Sequence, residues 1–385
     1  MLKRYLLTPG PTAVPPEVLL RMSQPLIHHR TPEFEALFAQ VQEKLQWLFQ
    51  TKQNVLILAA SGTGAMEAAV SNTCSPGDTV IVVNGGKFGE RWLKISQAFG
   101  VKVVELKVEW GQAVSVDAVA HALKAHPDAR AVLIQASETS TTVLHPVEQI
   151  SALTRNTNTL LIVDGITAVG ATVTPMDRWS IDILVTGSQK ALMLPPGLAF
   201  LALSDKAWKQ VEATKQPRYY FDLRREYKEQ QKHTTAYTPA ISLINGLHEV
   251  LRLMQEEGLE HIFARHALLA SATRAAARAM SLKLLAPDAP SPAATGVWLP
   301  DGVDGSRLLK YMRDGMGVDI AGGQDHLKGK IVRISHIGYA GPFDVITAIS
   351  TLEMALRRFG QQIELGSGVR RAEEILLEGW PPVGQ

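Results

Sequence analysis

Seven short apolar runs, spaced along the first half of the chain and separated by amphipathic stretches, restrict the possible folds more than any other feature. They are NVLILAA (54–60), TVIVV (79–83), VKVVELKV (101–108), RAVLIQA (130–136), TLLIVDG (159–165), DILVTGS (182–188) and LAFLAL (198–203). Most show no polar–apolar alternation, which is how strands covered on both faces read. The stretches between them, at 89–99, 116–125 and 147–155, carry apolar residues at helical spacing, as does 33–49. Strands alternating with helices predict an α/β fold with a mostly parallel central sheet and helices on both faces.

Past Tyr237 the pattern changes. Residues 240–280 read as helical, and short apolar runs (GVWLP, GVDI, KIVRISH) then precede a last helix over 343–359, predicting a smaller α+β domain. The expected organisation is an N-terminal arm over 1–20, read as extended because of Pro9, Pro11, Pro15 and Pro16. A large domain over 21–257, a small domain over 258–363 and a tail over 364–385 with no clear signal complete it.

Composition narrows the function classes. A net charge of +2 gives no electrostatic case for nucleic acid or acidic membranes, and no apolar run reaches the ~18–20 residues of a membrane span. The short apolar stretch before Pro9 argues against a secretory signal, and the expected location is the cytoplasm. The single cysteine, Cys74, rules out an intramolecular disulfide or a cysteine-held cluster and reads as a buried structural thiol. No metal site is expected. His28, His29 and Arg30 cluster without metal-ligand spacing and read as structural or interfacial.

In open α/β sheets, ligands bind at the carboxyl ends of strands. Four polar groups stand there: SGTG (61–64), the ETST turn after RAVLIQAS, Asp164 after TLLIV, and SQK (188–190) after DILVTG. SGTG entering a helix offers amide N–H groups and a helix dipole to an anion, although it lacks both the GxGxxG and the P-loop spacing. Asp164 is open to two readings, a helix cap or a fixed charge facing a ligand. Lys190 taken alone is open to two readings, an ordinary surface lysine, the commoner case, or an amine nucleophile. Together they supply what pyridoxal 5'-phosphate requires: an imine-forming lysine, a carboxylate for the ring nitrogen and a phosphate cradle.

The motifs TPGPT (8–12), SGTGAMEAA (61–69), IVDGITAVG (162–170), DILVTGSQKAL (182–192) and GKIVRISHIG (329–338) resemble those of class V, fold type I aminotransferases, nearest the alanine–glyoxylate and serine–glyoxylate enzymes. The resemblance runs from the first motif to about residue 360. It implies that Lys190 carries the cofactor and that Asp164 pairs with the ring nitrogen. Ser61, Gly62, Thr63 and Gln189 are implied to hold the phosphate. Phe88, where many relatives have tryptophan, would stack on the ring opposite Ile166, with Thr139 near the phenolic oxygen. Arg333 is implied to clamp the substrate α-carboxylate. Thr235 and Thr238, with Tyr237 as an alternative, match a segment that reaches the neighbouring subunit's phosphate, so the resemblance implies a homodimer with composite sites. The expected substrates are a small amino acid, alanine or serine, and a 2-oxo acid such as glyoxylate.

Phosphonate or phosphoserine transaminases share these anchors and remain an alternative. A cysteine desulfurase needs a catalytic cysteine in the C-terminal part, and SQK lacks the histidine usual before that group's lysine. A redox-complex subunit with its own cluster conflicts with the cysteine count.

Overall fold

The protein is described by a computed structural model over residues 2–379. All seven apolar runs form strands of one sheet: Val55–Leu58 (β1), Thr79–Asn84 (β2), Lys102–Lys107 (β3), Ala131–Gln135 (β4), Leu160–Asp164 (β5), Ile183–Gly187 (β6) and Ala199–Leu203 (β7). Their order is β1-β7-β6-β5-β4-β2-β3. Only β7 runs against its neighbours, pairing antiparallel with both β1 and β6. The edge strand β3 is half-exposed and carries Lys102, Glu105 and Lys107 among its apolar residues, unlike the buried β4 to β7.

The period of two along a strand divides the core into two layers. Leu161 and Val163 of β5 pack with Phe38 and Leu45 of the helix Pro32–Phe49 and Leu251 of Ile241–Glu257. Leu160 and Ile162 face the other way, toward Met66 of Gly62–Thr73 and Trp92 of Lys87–Ala98. A third cluster gathers Ala276 of Leu259–Ala279, Leu352 of Pro342–Arg358 and Leu376 of Ser367–Glu378. It packs on a small antiparallel sheet of Ala294–Trp298 (β8), Ala321–Gly322 (β9) and Ile331–Ser335 (β10), with β10 in the middle.

Three segments depart from the sequence reading. The N-terminal stretch is extended only as far as Pro15. Pro16 then opens the helix Pro16–Met22, because a proline at the first helical position has no N–H to lose. The helical region after Tyr237 is two helices, broken at Gly258, whose φ of +80° suits glycine. Residues given no signal after 360 include the helix Ser367–Glu378, whose buried positions Ser367, Gly368, Ala372 and Leu376 are mostly small.

Because six strands run parallel, β1, β2, β4, β5 and β6 deliver their following turns to one edge of the sheet. The chain's polar groups of interest lie along that edge.

Candidate active site

Lys190 stands three residues past the end of β6, partly enclosed by the N-terminal segment. Its Nζ donates to the Pro9 carbonyl at 2.9 Å, while the Thr12 hydroxyl donates to the Lys190 carbonyl at 2.8 Å. Gly10 lies against the lysine side chain. A Cβ there would overlap Nζ and approach Cδ to 2.6 Å, and the Gly10 φ of +141° also requires glycine. This gives TPGPT a physical role: it folds over Lys190 and can do so only with glycine at its centre. Burial, reinforced by the Arg333 cation, pulls the Lys190 pKa down to about 8, against the opposing pull of Asp164. Such an amine is still mostly protonated near pH 7, but about a tenth of it is neutral there, far more than of an ordinary lysine, and the neutral form is the nucleophile.

Asp164 ends β5 with 3% of its surface exposed. Burial, with the nearby Glu138 charge, pushes its pKa up to about 7, while the Ile166 amide, Arg91 and Lys190 hold it down. Its Oδ1 accepts from the Ile166 N–H at 2.8 Å, fixing a turn; no α-helix follows before residue 205, so the carboxylate caps none. The Ile166 side chain lies over Gly62, where a Cβ would come within 2.5 Å of Cδ1. Gly62 is therefore set by close packing as well as by its place in the turn.

Ser61 precedes the helix Gly62–Thr73 with extended backbone, and its side chain makes no capping bond to that helix. The first amides are thus left to another acceptor. The Gln189 Oε1 is buried with no partner among the described residues. A Cβ on Gly187 would meet both that oxygen, at 3.2 Å, and the Gly62 nitrogen, at 3.3 Å, so the two groups border one corner. An uncapped helix start fits a phosphate group; Gln189 adds to it as a donor when its amide turns the NH₂ rather than the oxygen into that corner.

Arg333 sits at the centre of β10 opposite Gly296 and Ala321, whose small side chains leave room for it. Nε donates to the Gly322 carbonyl at 2.9 Å and Nη1 to the Thr139 carbonyl at 2.8 Å. Its Nη2 has no partner among the described residues. Burial lowers its pKa to about 10, with Glu138 opposing, and the group stays charged at neutral pH. The Thr139 hydroxyl is 2.8 Å from that of Thr167, and Thr167 spends its proton on the Ser137 carbonyl at 3.1 Å. Thr139 is therefore the donor of that pair, and its oxygen faces any further partner as an acceptor.

Phe88 opens the helix Lys87–Ala98, its ring under the Arg91 guanidinium at 4.8 Å. Arg91 also donates to the Thr63 hydroxyl at 3.0 Å. The sequence reading passed over Arg91, and it noticed the ETST turn without giving Glu138 a role.

Thr235, Thr238 and Tyr237 are not brought to this edge contact by contact. The Thr235 hydroxyl donates to the Tyr237 carbonyl at 2.5 Å, and Thr238 is exposed. Tyr237 donates to the Tyr219 carbonyl at 2.9 Å and lies under Arg225. Elsewhere, burial pushes the Cys74 thiol up to about 12, so it is an inert core group. Among the described residues no helix is long and apolar enough to cross a membrane.

The sequence profile described as "Aminotransferase class-V" matches residues 4–340. The chain is 43% identical to the "Soluble hydrogenase, small subunit" of Synechococcus sp. over 97% of this chain and 98% of the other. It is 36% identical to the "L-aspartate--glyoxylate aminotransferase" of Paracoccus denitrificans, over 95% and 94%. Among solved structures, the ureidoglycine–glyoxylate aminotransferase of Bacillus subtilis superposes with a TM-score of 0.94 at 30% identity, over 98% of this chain and 99% of that one.

Proposed function

The chain belongs to the class V aminotransferases, and on that premise we propose that it moves the amino group of a small neutral amino acid, alanine or serine, to glyoxylate. The family's cofactor is pyridoxal 5'-phosphate, which when bound supplies an electron sink for the pair released at the substrate α-carbon.

The residues fit that group. Lys190 would hold it covalently through Nζ, and its lowered pKa supports a neutral amine for the purpose. Asp164 would face the protonated ring nitrogen. A cation there would stabilise the carboxylate that burial otherwise disfavours. The Ser61–Thr63 turn and Gln189 would take the phosphate, Phe88 and Ile166 would enclose the ring, and the Thr139 hydroxyl oxygen would accept from a ring substituent. Once displaced by the amino donor, Lys190 would take the α-proton and return it two atoms along, on the far side of the transferred nitrogen, as general base and then acid. Thr235 and Thr238 would complete the phosphate site of a second protomer, making the unit a homodimer.

The donor preference rests on one observation. Arg333 presents an unpartnered Nη2, whereas Arg91, the other guanidinium near Lys190, is committed to Thr63 and the Phe88 ring. One free clamp suits one carboxylate. A second carboxylate would be desolvated without a partner, which disfavours aspartate, glutamate and phosphorylated donors. Steady-state rates with glyoxylate across a donor panel test this. Alanine or serine should exceed aspartate and glutamate by about tenfold or more in kcat/KM. A panel led by aspartate, the donor named for the Paracoccus relative, overturns the preference and leaves the transaminase standing.

The hydrogenase name of the Synechococcus relative raises a second reading, a subunit of a redox assembly. This chain's one cysteine offers no ready thiolate to such a role. Co-purification of the native protein with a hydrogen-oxidising activity would favour that reading.

A further inference from the structure

Glu138 is a carboxylate with 0% of its surface exposed, in the two-residue strand Ser137–Glu138 that follows β4, and its two oxygens reach two different segments. Oε2 accepts from the Phe88 N–H at 3.1 Å and the Gly89 N–H at 3.0 Å. Oε1 accepts from the Ser140 N–H at 3.1 Å and the Ser140 hydroxyl at 2.5 Å. The Ser140 oxygen in turn accepts from the Lys87 N–H at 2.9 Å. One side chain thus ties the first amides of the helix Lys87–Ala98 to the turn after β4.

The packing leaves no slack in this tie. A Cβ on Gly86 would overlap the Ser140 hydroxyl and come within 2.5 Å of Glu138 Cδ, so the glycine lets the two turns meet. Both segments then run directly into the site. The residue bound on one side is Phe88. On the other, Thr139 lies between Glu138 and Ser140, and its carbonyl receives Arg333 Nη1.

We infer that Glu138 is a positioning residue that sets, through one carboxylate, both the ring-facing Phe88 and the carboxylate-binding Arg333. The inference rests on the transaminase reading above. Four donors converge on Glu138, so only an acceptor on both oxygens satisfies them; an amide would turn an NH₂ group toward one pair of N–H groups. Glu138 touches no substrate, since its oxygens are used and its surface is closed. Its effect passes through the two turns.

The test compares wild type with Glu138→Gln, the milder Ser140→Ala, and Ser151→Ala, a buried serine on the helix Val147–Thr154, as a control for loss of core stability. In protein stripped of cofactor, hydrogen exchange of the Phe88 and Gly89 amides should quicken by about tenfold in Glu138→Gln. In the loaded enzyme the visible circular dichroism of bound pyridoxal phosphate should weaken, and KM for every donor should rise about tenfold, more than kcat falls. Ser140→Ala should move each quantity the same way by about threefold, and the control should move none. Should Glu138→Gln fail to fold, Ser140→Ala decides. Exchange, dichroism and KM all at wild-type values in the decisive variant, or a loss of thermal stability alone, overturn the inference. A wild-type protein that neither binds pyridoxal phosphate nor transaminates overturns the functional reading instead, and the exchange result stands apart from it.

Discussion

Two regions of this molecule carry polar residues that the sequence marks for one cofactor, and they are finished to very different degrees. At the sheet edge, Asp164 and Arg333 are buried with 3% and 7% of their surfaces exposed, and Lys190 is bonded to the segment that crosses it. Around Thr238, by contrast, Tyr219 is 74% and Tyr220 45% exposed, and the contacts are mostly among neighbours: Tyr220 stacks on Tyr237 at 4.9 Å, and Arg225 lies over Tyr237. Aromatic side chains fixed in place yet left in water are what a protein presents to another surface. On the proposed reading, one chain assembles the reactive groups by itself and the second region contributes to a neighbouring protomer's site.

If that division is right, damage at the sheet edge should be severe whatever the state of assembly. The largest effect should follow Lys190→Ala, which removes the proposed anchoring amine and proton carrier together. Transamination should fall by about 10³-fold or more. Borohydride treatment of the wild type, followed by peptide mapping, should find pyridoxal phosphate fixed to Lys190; label on another lysine breaks the assignment. The pKa of about 8 adds a pH signature. The rate at which cofactor-free protein captures pyridoxal phosphate should rise with pH and level off above about 8, as the neutral amine becomes dominant.

Asp164→Asn comes next. The variant should still bind cofactor but lose about 10²-fold or more in half-transamination, because an uncharged partner no longer holds the ring nitrogen protonated. Without cofactor the sign reverses. A carboxyl raised from 3.8 to about 7 binds protons more tightly in the folded than in the unfolded chain, so its contribution to stability falls as pH rises through that window. Cofactor-free Asp164→Asn should therefore gain on wild type between pH 4 and 7 in thermal melts, where a carboxylate already paired inside the protein would give the opposite trend.

The same contrast explains what was legible in advance. Strands β4 to β7 could be read because burial on both faces leaves continuous apolar runs, and Lys190 and Asp164 because they interrupt such runs at the ends. Their joint fit to pyridoxal phosphate came from taking Lys190, Asp164 and the SGTG turn together, and the resemblance to the family then implied the roles of Phe88, Thr139 and Arg333. Glu138 was not legible. Its partners Phe88 and Gly89 are 50 and 49 residues away, and only the sheet order brings β2 and β4 together. Arg91 was hidden for the same reason, since its partner Thr63 lies in another turn. The terminal helix escaped because its buried face is Ser367, Gly368 and Ala372, which carry little apolar signal.

Arg333→Ala should fall between the extremes. Each donor loses the same charge-assisted contact, so kcat/KM should drop by about 10- to 100-fold for all donors alike. A loss confined to one donor would mean that Arg333 reads the side chain and would move it out of the shared machinery.

The smallest effect belongs to Thr238, and it tests the contrast most sharply. Thr238 is exposed and distant in contacts from Lys190, so a site contained within one chain predicts no consequence from Thr238→Ala. A site shared across a two-fold axis predicts the loss of one hydrogen bond to phosphate, which weakens pyridoxal phosphate binding by about 2- to 10-fold while leaving the fold untouched. Thr235 cannot serve as well, because its hydroxyl is already given to the Tyr237 carbonyl and its replacement would disturb the segment itself. Where Thr238→Ala does weaken binding, mixing shows which chain the threonine serves. Hybrids of Lys190→Ala and Thr238→Ala protomers should contain one active centre that pairs an intact Lys190 with an intact Thr238 from its neighbour, or none, according to which chain supplies each. If the threonine acts across the interface, that centre binds cofactor at wild-type strength; if it acts within its own chain, every active centre in the mixture shows the weakened binding. Sedimentation of a fully active monomer would remove the interface altogether and leave the exposed aromatic patch without its proposed partner.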